Sequence, residues 1–218
     1  MARSDQEFRR YSAVDRAIAH LDHALNNIFC RQQSRRPYPA DDQPEGITGA
    51  GARAAAAGMM RVNHAGEMAA QALYQGQSLT ARDPELRRRL MQASEEESDH
   101  LNWCRRRLDE LDAAPSRLDP FWYVGSLAIG IAAGIAGDRW NLGFLAETEH
   151  QVVRHLDDHL QRLPPEDARS RAIVEQMRQD ELGHAELAES LGAARLPGPI
   201  RRLMQITSKI MTTTAERI

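Results

Sequence analysis

A glutamate and a histidine three residues apart on a helix place a carboxylate and an imidazole on one face. That mixed oxygen and nitrogen donor set, with open positions, suits iron or manganese better than a closed, thiolate-rich zinc site. The chain carries two such pairs, Glu97-Ser-Asp-His100 and Glu181-Leu-Gly-His184. Together with the lone glutamates Glu67 and Glu149 they form the two-Glu plus two-Glu-x-x-His ligand set of a carboxylate-bridged dimetal centre in a four-helix bundle. Spacing alone does not select these residues. With 16 Glu and 8 His in 218 residues, roughly 0.6 Glu-x-x-His pairs arise by chance, and a third pair is present at Glu147-Thr-Glu-His150.

The elements that must position the candidates decide between them. Residues three, four and seven apart share a side of a helix. Glu97 and His100 lie with Leu90, Ala93, Leu101, Cys104, Leu108 and Leu111, while Glu181 and His184 lie with Val174, Met177, Ala185, Ala188 and Leu191. Both pairs are therefore expected to point inward. Glu149 shares its stripe with Leu142, Leu145, Ala146, Val152, Val153 and Leu156, whereas Glu147 falls with His150, Gln151, Arg154 and Asp158 and is assigned to the surface. The neighbours of Glu67 are mixed. Its place in the set comes from spacing: Glu67 precedes Glu97 by 30 residues and Glu149 precedes Glu181 by 32, so the chain reads as two helical hairpins of like design.

Buried ionised carboxylates cost several kcal/mol each unless paired, and these faces carry no Lys or Arg. Four glutamates bring −4, two imidazoles bind neutral, and two divalent ions make the site neutral. Asp180 and Glu96 stand immediately before Glu181 and Glu97. Because a metal-bound imidazole usually donates its other N–H to a carboxylate, these acids are placed to serve the histidine of the opposite hairpin.

A net charge of −3 gives no global basic field for nucleic acid. The runs Arg35-Arg36, Arg87-Arg88-Arg89 and Arg105-Arg106-Arg107 are interspersed with acids and read as solvated helix faces, with an anionic membrane surface as the other possibility. Two cysteines, Cys30 and Cys104, make no disulfide framework and fit a reducing compartment. The first residues lack a charged-then-apolar leader pattern, and Asp5, Glu7 and Asp15 argue against a transit peptide, so the chain is expected to face the cytosol.

The expected organisation is all-α, with residues 1–50 as an N-terminal helix and linker and residues 51–218 as the domain that holds the site. The first helix spans about Asp5 to Arg31, and the Pro- and Gly-rich stretch from Pro37 to Gly51 reads as linker. Ligand-bearing helices follow at about Ala52–Ala81, Asp83–Asp112, Asp138–Leu163 and Glu166–Leu191, and a last helix starts near Pro199. Asp83-Pro84-Glu85 is a helix start with cap, proline and acid in order. Phe121 to Gly137 holds 17 residues without a charge, about 25 Å as a helix and marginal for a span. It contains the G-x-x-x-G pattern Gly130 to Gly134 and starts with Phe121, Trp122 and Tyr123. A crossover buried between the hairpins fits this segment. A membrane-surface helix fits the continuous apolar run and aromatic end better. A dimetal centre beside such a surface suggests O₂ activation on a lipid-soluble substrate.

Arg61-Val-Asn-His-Ala-Gly-Glu67, Leu73-Tyr-Gln-Gly-Gln77, Glu97-Ser-Asp-His100, Glu149 and Asp180-Glu-Leu-Gly-His184 resemble the demethoxyubiquinone hydroxylase family, the di-iron monooxygenases of ubiquinone biosynthesis. The resemblance runs from about Gly51 to the C-terminus, and the first fifty residues resemble the longer bacterial members. It implies a ferritin-like four-helix bundle with additional N-terminal and membrane-associated helices. It also implies hydroxylation of the ring of 2-polyprenyl-3-methyl-6-methoxy-1,4-benzoquinol, with two iron ions as cofactor and O₂ as co-substrate. Carried over by motif, Glu67, Glu97 and His100 serve one iron and Glu149, Glu181 and His184 the other, with Glu97 and Glu181 bridging and Asp180 supporting. Implied partners are the polyprenyl quinol, the membrane surface, an external electron donor and other ubiquinone-biosynthesis proteins, with no nucleic acid. The implied place is the cytoplasmic side of the cell membrane, peripherally bound. Animal members carry a His-Tyr pair after the third glutamate, where this chain has His155-Leu156; His155 is either a donor beside the site or a surface side chain. Three rivals stand against this function: an iron-storage or ferroxidase protein, a tRNA-modifying di-iron hydroxylase, and a metal-free helical scaffold.

Overall fold

The computed structural model of the protein describes residue 22 and residues 34–218. Among the described residues there are six helices and no strand: α1 (Ala50–Thr80), α2 (Pro84–Glu110), α3 (Asp119–Ile135), α4 (Asp138–Arg162), α5 (Ala168–Ser190) and α6 (Gly198–Ala215). The expected helix from Asp5 to Arg31 lies, apart from Asp22, outside the described residues, as does Cys30.

Local chemistry sets the hairpins. The Asp83 carboxylate accepts from the Glu85 amide at 2.9 Å, with Pro84 in the first turn of α2. Asp138, the first residue of α4, accepts from the amides of Arg82 and Asp83 at 2.9 Å each, which ties the α1–α2 turn to the second hairpin. Pro164-Pro165 follows α4, and Asp167 caps α5 by accepting from the Ser170 amide at 2.9 Å. Helices α1, α2, α4 and α5 pack as a four-helix bundle, the ferritin-like arrangement expected from the paired hairpins.

Two apolar clusters divide the bundle along its length. At one end Tyr74, Leu86, Leu90, Leu142, Leu145 and Ala188 pack together. At the other end Met60, Trp103, Leu108, Leu156, Ile173 and Met177 do so. Each large apolar side chain buried there contributes roughly 1.5–3 kcal/mol. Along every bundle helix the candidate ligand falls between the two clusters, so the polar site sits at mid-height with a dry layer above and below.

Helix α3 crosses on α1. A Cβ on Gly76 of α1 would run into the backbone of Leu127 and Ile131 of α3, and one on Gly130 of α3 into the Leu73 carbonyl of α1, the close approach that small residues permit. Tyr123, Gly130 and Gly134 face inward, whereas Phe121, Val124 and Ile135 are exposed. The charge-free segment is thus both a crossover and a one-sided apolar surface. Helix α6 packs its Ala215 against Val62 and Ala65 of α1 and leaves Leu203, Ile206 and Ile210 exposed. No helix among the described residues is long and apolar enough to cross a membrane.

The Pro- and Gly-rich stretch before α1 is packed rather than loose. Tyr38, Ala40 and Ile47 are buried in the cluster with Trp103 and Leu108. Arg107 corrects the reading of its arginine run as a solvated face: it is fully buried, bonded to Glu45 at 2.6 Å, Asp167 at 2.9 Å, Ser170 at 2.9 Å and Glu110 at 3.1 Å. The reason is its register. Position 107 shares a helical face with His100, Cys104 and Leu111, and its neighbours supply the counter-charge that burial demands.

Candidate metal centre

Glu67, Glu97, His100 and Glu181 come together at mid-bundle, one ligand atom of each lying within 4.8 Å of the others. All four are buried, Glu97 and His100 completely. His100 Nδ1 lies 3.0 Å from Glu97 Oε2, 3.1 Å from Glu181 Oε1 and 3.5 Å from Glu67 Oε2. From the second hairpin, His184 Nδ1 lies 3.0 Å from Glu181 Oε2 and 3.4 Å from Glu97 Oε1. Glu97 and Glu181 therefore each reach both imidazoles, one carboxylate oxygen to each, while Glu67 reaches only His100. Glu149, 1 % exposed, lines the same small cavity as Glu67 and Glu181 but accepts a hydrogen bond from the Tyr74 hydroxyl.

Both imidazoles turn Nδ1 into the cluster and Nε2 away from it. His100 Nε2 lies 2.9 Å from Asp180 Oδ2, and His184 Nε2 lies 2.8 Å from Glu96 Oε2. Each hairpin's histidine is thus held by the other hairpin's acid. This is the arrangement expected of metal-binding imidazoles, whose tautomer and ring orientation are fixed by an outer carboxylate.

The electrostatics ask for a cation. Burial, and then the nearby carboxylates, push Glu67 and Glu149 well above the usual carboxylate range. Burial would raise Glu181 as well, but hydrogen bonds from His100 and His184 hold it far below that range. The difference follows from geometry, since Glu181 lies between two imidazoles. Burial opposes a charge on His184, yet its bonds to Glu181 and Glu96 raise it to about 12; His100 is raised well above its ordinary value by Asp180 and the three glutamates, again against burial. Protons on the imidazoles supply the positive charge that divalent ions would bring. Glu97 Oε1 is buried without a hydrogen bond, and a metal ion would satisfy it. The donor types, their burial and this oxygen without a hydrogen bond fit a bound metal ion.

The third Glu-x-x-His pair is split by its surroundings. Glu147 accepts from Gln151 at 2.9 Å and pairs with Arg154 at 3.5 Å, while His150 meets Glu189 at 2.8 Å on the outside of the bundle. His155 is partly buried and packs against His159 with ring centres 3.9 Å apart and the ring planes tilted by 60°. It also lines the small cavity beside Glu67 and Glu149. Two contributors had no place in the expected site. Tyr74, fully buried, lies two helical turns after Glu67, and that spacing was its available signal. From the segment before α1, Arg36 donates to Asp180 through Nη1 at 2.6 Å and Nη2 at 3.2 Å.

An apolar groove of about 260 Å³ runs between α1, α3, α4 and α6, with Gly66, Ala69 and Ala70 at its floor and Ile129, Ile200 and Leu203 at its side. It shares Gly66, Ala70, Val152 and Met211 as walls with the small cavity that Glu67, Glu149 and Glu181 line, so the two cavities are neighbours.

Two helical hairpins enclosing a buried set of carboxylates and imidazoles define a ferritin-like bundle able to hold metal. The chain belongs to the family described as Ubiquinone biosynthesis protein COQ7, whose model matches residues 54–215. A 3-demethoxyubiquinol 3-hydroxylase of Chromobacterium violaceum is 54% identical over 205 residues, covering 94% of this chain and all of the relative. The protein of the same name from Polynucleobacter asymbioticus is 52% identical over 208 residues, covering 95% of this chain and all of the relative, and that of Aromatoleum aromaticum is 52% identical over 205.

Proposed function

We infer that this protein is the monooxygenase that hydroxylates the ring of 2-polyprenyl-3-methyl-6-methoxy-1,4-benzoquinol, the demethoxy precursor of ubiquinol, at a centre of two iron ions. The observation that carries it is an apolar groove adjoining a buried carboxylate–imidazole cluster in a chain of this family. Glu67, Glu97 and His100 would hold one iron and Glu149, Glu181 and His184 the other, Glu97 and Glu181 being the two carboxylates that reach both imidazoles. Iron bound there would supply the redox chemistry for activating O₂.

The chain's own residues do the rest. Asp180 and Glu96 fix the imidazoles with Nδ1 inward, and Tyr74 holds Glu149 by its hydroxyl. The two apolar clusters exclude water from the site along the bundle axis, which strengthens every charge interaction inside it. The groove takes the isoprenoid tail and presents the ring at the cavity beside Glu67 and Glu149. Electrons come from an external donor.

The exposed apolar side chains of α3 and α6 form the surface that meets the membrane, peripherally and from the cytoplasmic side. Arg201, Arg202 and Lys209 on α6 supply cations for an anionic bilayer. A strain lacking the gene should accumulate the demethoxy quinone, and the purified protein should bind two irons per chain and convert that quinol. Normal quinone content in the deletion strain would reject this function.

A further inference from the structure

The two metal positions are related by the internal repeat, yet their surroundings differ. Around His184, the Glu96 side chain is 40% exposed and bonded otherwise to Gln92 at 3.1 Å. Around His100, Asp180 is 20% exposed and gripped by both terminal nitrogens of Arg36. Arg36 does more than pair with the acid. Its guanidinium lies 4.9 Å above the Trp103 ring, and that ring packs against His100 with centres 5.2 Å apart. One planar cation therefore restrains His100 from two directions, through the carboxylate that bonds its Nε2 and through the indole beside its face. A planar guanidinium can do both at once, and an ammonium cannot. Arg36 itself is held in place by its segment: Arg35 donates its amide to Asp99 at 2.6 Å, and Tyr38 is buried two residues later.

We propose that Arg36 is a positioning residue for the metal site at His100, making that site tighter than its partner at His184. This rests on the dimetal reading of the cluster. The segment before α1 is then part of the metal centre, and the pseudo-symmetric ligand set becomes ordered, one position pre-set and the other adaptable.

Titration of metal-free protein with Co²⁺ tests this, followed by the visible absorbance of the bound ion and by far-UV circular dichroism. The parent should take two equivalents in distinguishable steps, and Glu96→Gln should weaken only the step belonging to His184. Arg36→Gln should weaken the other step about tenfold, at the low end of what losing an outer partner costs, with a changed Co²⁺ spectrum and an unchanged helical signal. Arg36→Lys should fall between. Arg35→Gln removes an exposed ion pair with Glu95 from the same segment and should match the parent. Parent-like titration of Arg36→Gln overturns the proposal. So does an equal loss in Arg35→Gln, since the segment and not the guanidinium would then be responsible. If Arg36→Gln does not fold, Arg36→Lys decides, weakened binding supporting the role and parent-like binding overturning it. A parent that binds no Co²⁺ removes the dimetal centre itself, which separates that failure from this one.

Discussion

His100 on α2 and Asp180 on α5 are 80 residues apart in sequence and 2.9 Å apart in space, Nε2 to Oδ2. Asp180→Asn keeps the shape but replaces the anion that orients this imidazole. Iron retention should fall roughly 10- to 100-fold while the helices persist. Iron analysis after gel filtration, beside circular dichroism, checks this; unchanged iron content would make Asp180 a surface acid.

Glu149 and Glu147 are two residues apart and differ in their surroundings. Glu149 is buried and bonded to Tyr74, whereas Glu147 meets Gln151 and Arg154 at the edge of the bundle. Glu149→Gln should lose iron and hydroxylation. Glu147, its side chain only 15% exposed, still accepts from Gln151 as a glutamine, so Glu147→Gln should leave two irons bound and cost about 1 kcal/mol or less of stability. The reverse ranking by metal analysis would refute the register assigned to α4.

What the sequence made legible was whatever helical period controls. Glu97, Glu149 and Glu181 were placed inward by their apolar neighbours, and Asp180 and Glu96 by adjacency to them. Glu67, with mixed neighbours, was reached only through the hairpin repeat. Arg107 shows how a composition rule hides a register: read as one of three arginines it is solvated, read with His100 and Cys104 it is buried. Arg36 had no periodic signal, because it meets Asp180 across 144 positions from a proline-rich segment. The outward face of α6 was open to reading, since Ile200, Leu203, Ile206 and Ile210 recur at helical spacing, but only the start of that helix was drawn from the sequence.

Stability should fall in mildly acidic solution through His155 and His159. Burial lowers His155 to about 4 and His159 to about 2, the latter also through the neighbouring His155. Asp158, Arg162, Lys209 and Glu216 face the same pocket. Both imidazoles are neutral in the fold, while in the unfolded chain they protonate near pH 6.5. The unfolded state thus binds more protons below that pH, and stability is lost as pH drops from about 6.5, toward 4 through His155 and on toward 2 through His159. Urea unfolding of His159→Gln at pH 7 and pH 5 should show a smaller loss than the parent. Equal losses would refute the assignment.

Membrane contact should depend on the outer faces of α3 and α6. Phe121 and Leu203 are 68% and 64% exposed, so charging them should cost the fold little. Phe121→Glu with Leu203→Glu should fail to float with anionic vesicles yet keep its iron. A double variant that floats as well as the parent would reject this surface.

The groove between α1, α3, α4 and α6 has one further consequence. Its side residues Ile200 and Leu203 belong to the helix proposed above to face lipid, and on that proposal a polyprenyl quinol would enter sideways from the bilayer without passing through water. The quantity the enzyme senses would then be the mole fraction of quinol among lipids. Adding empty lipid at constant quinol and protein should slow turnover by surface dilution, and the Michaelis constant belongs in mole per cent.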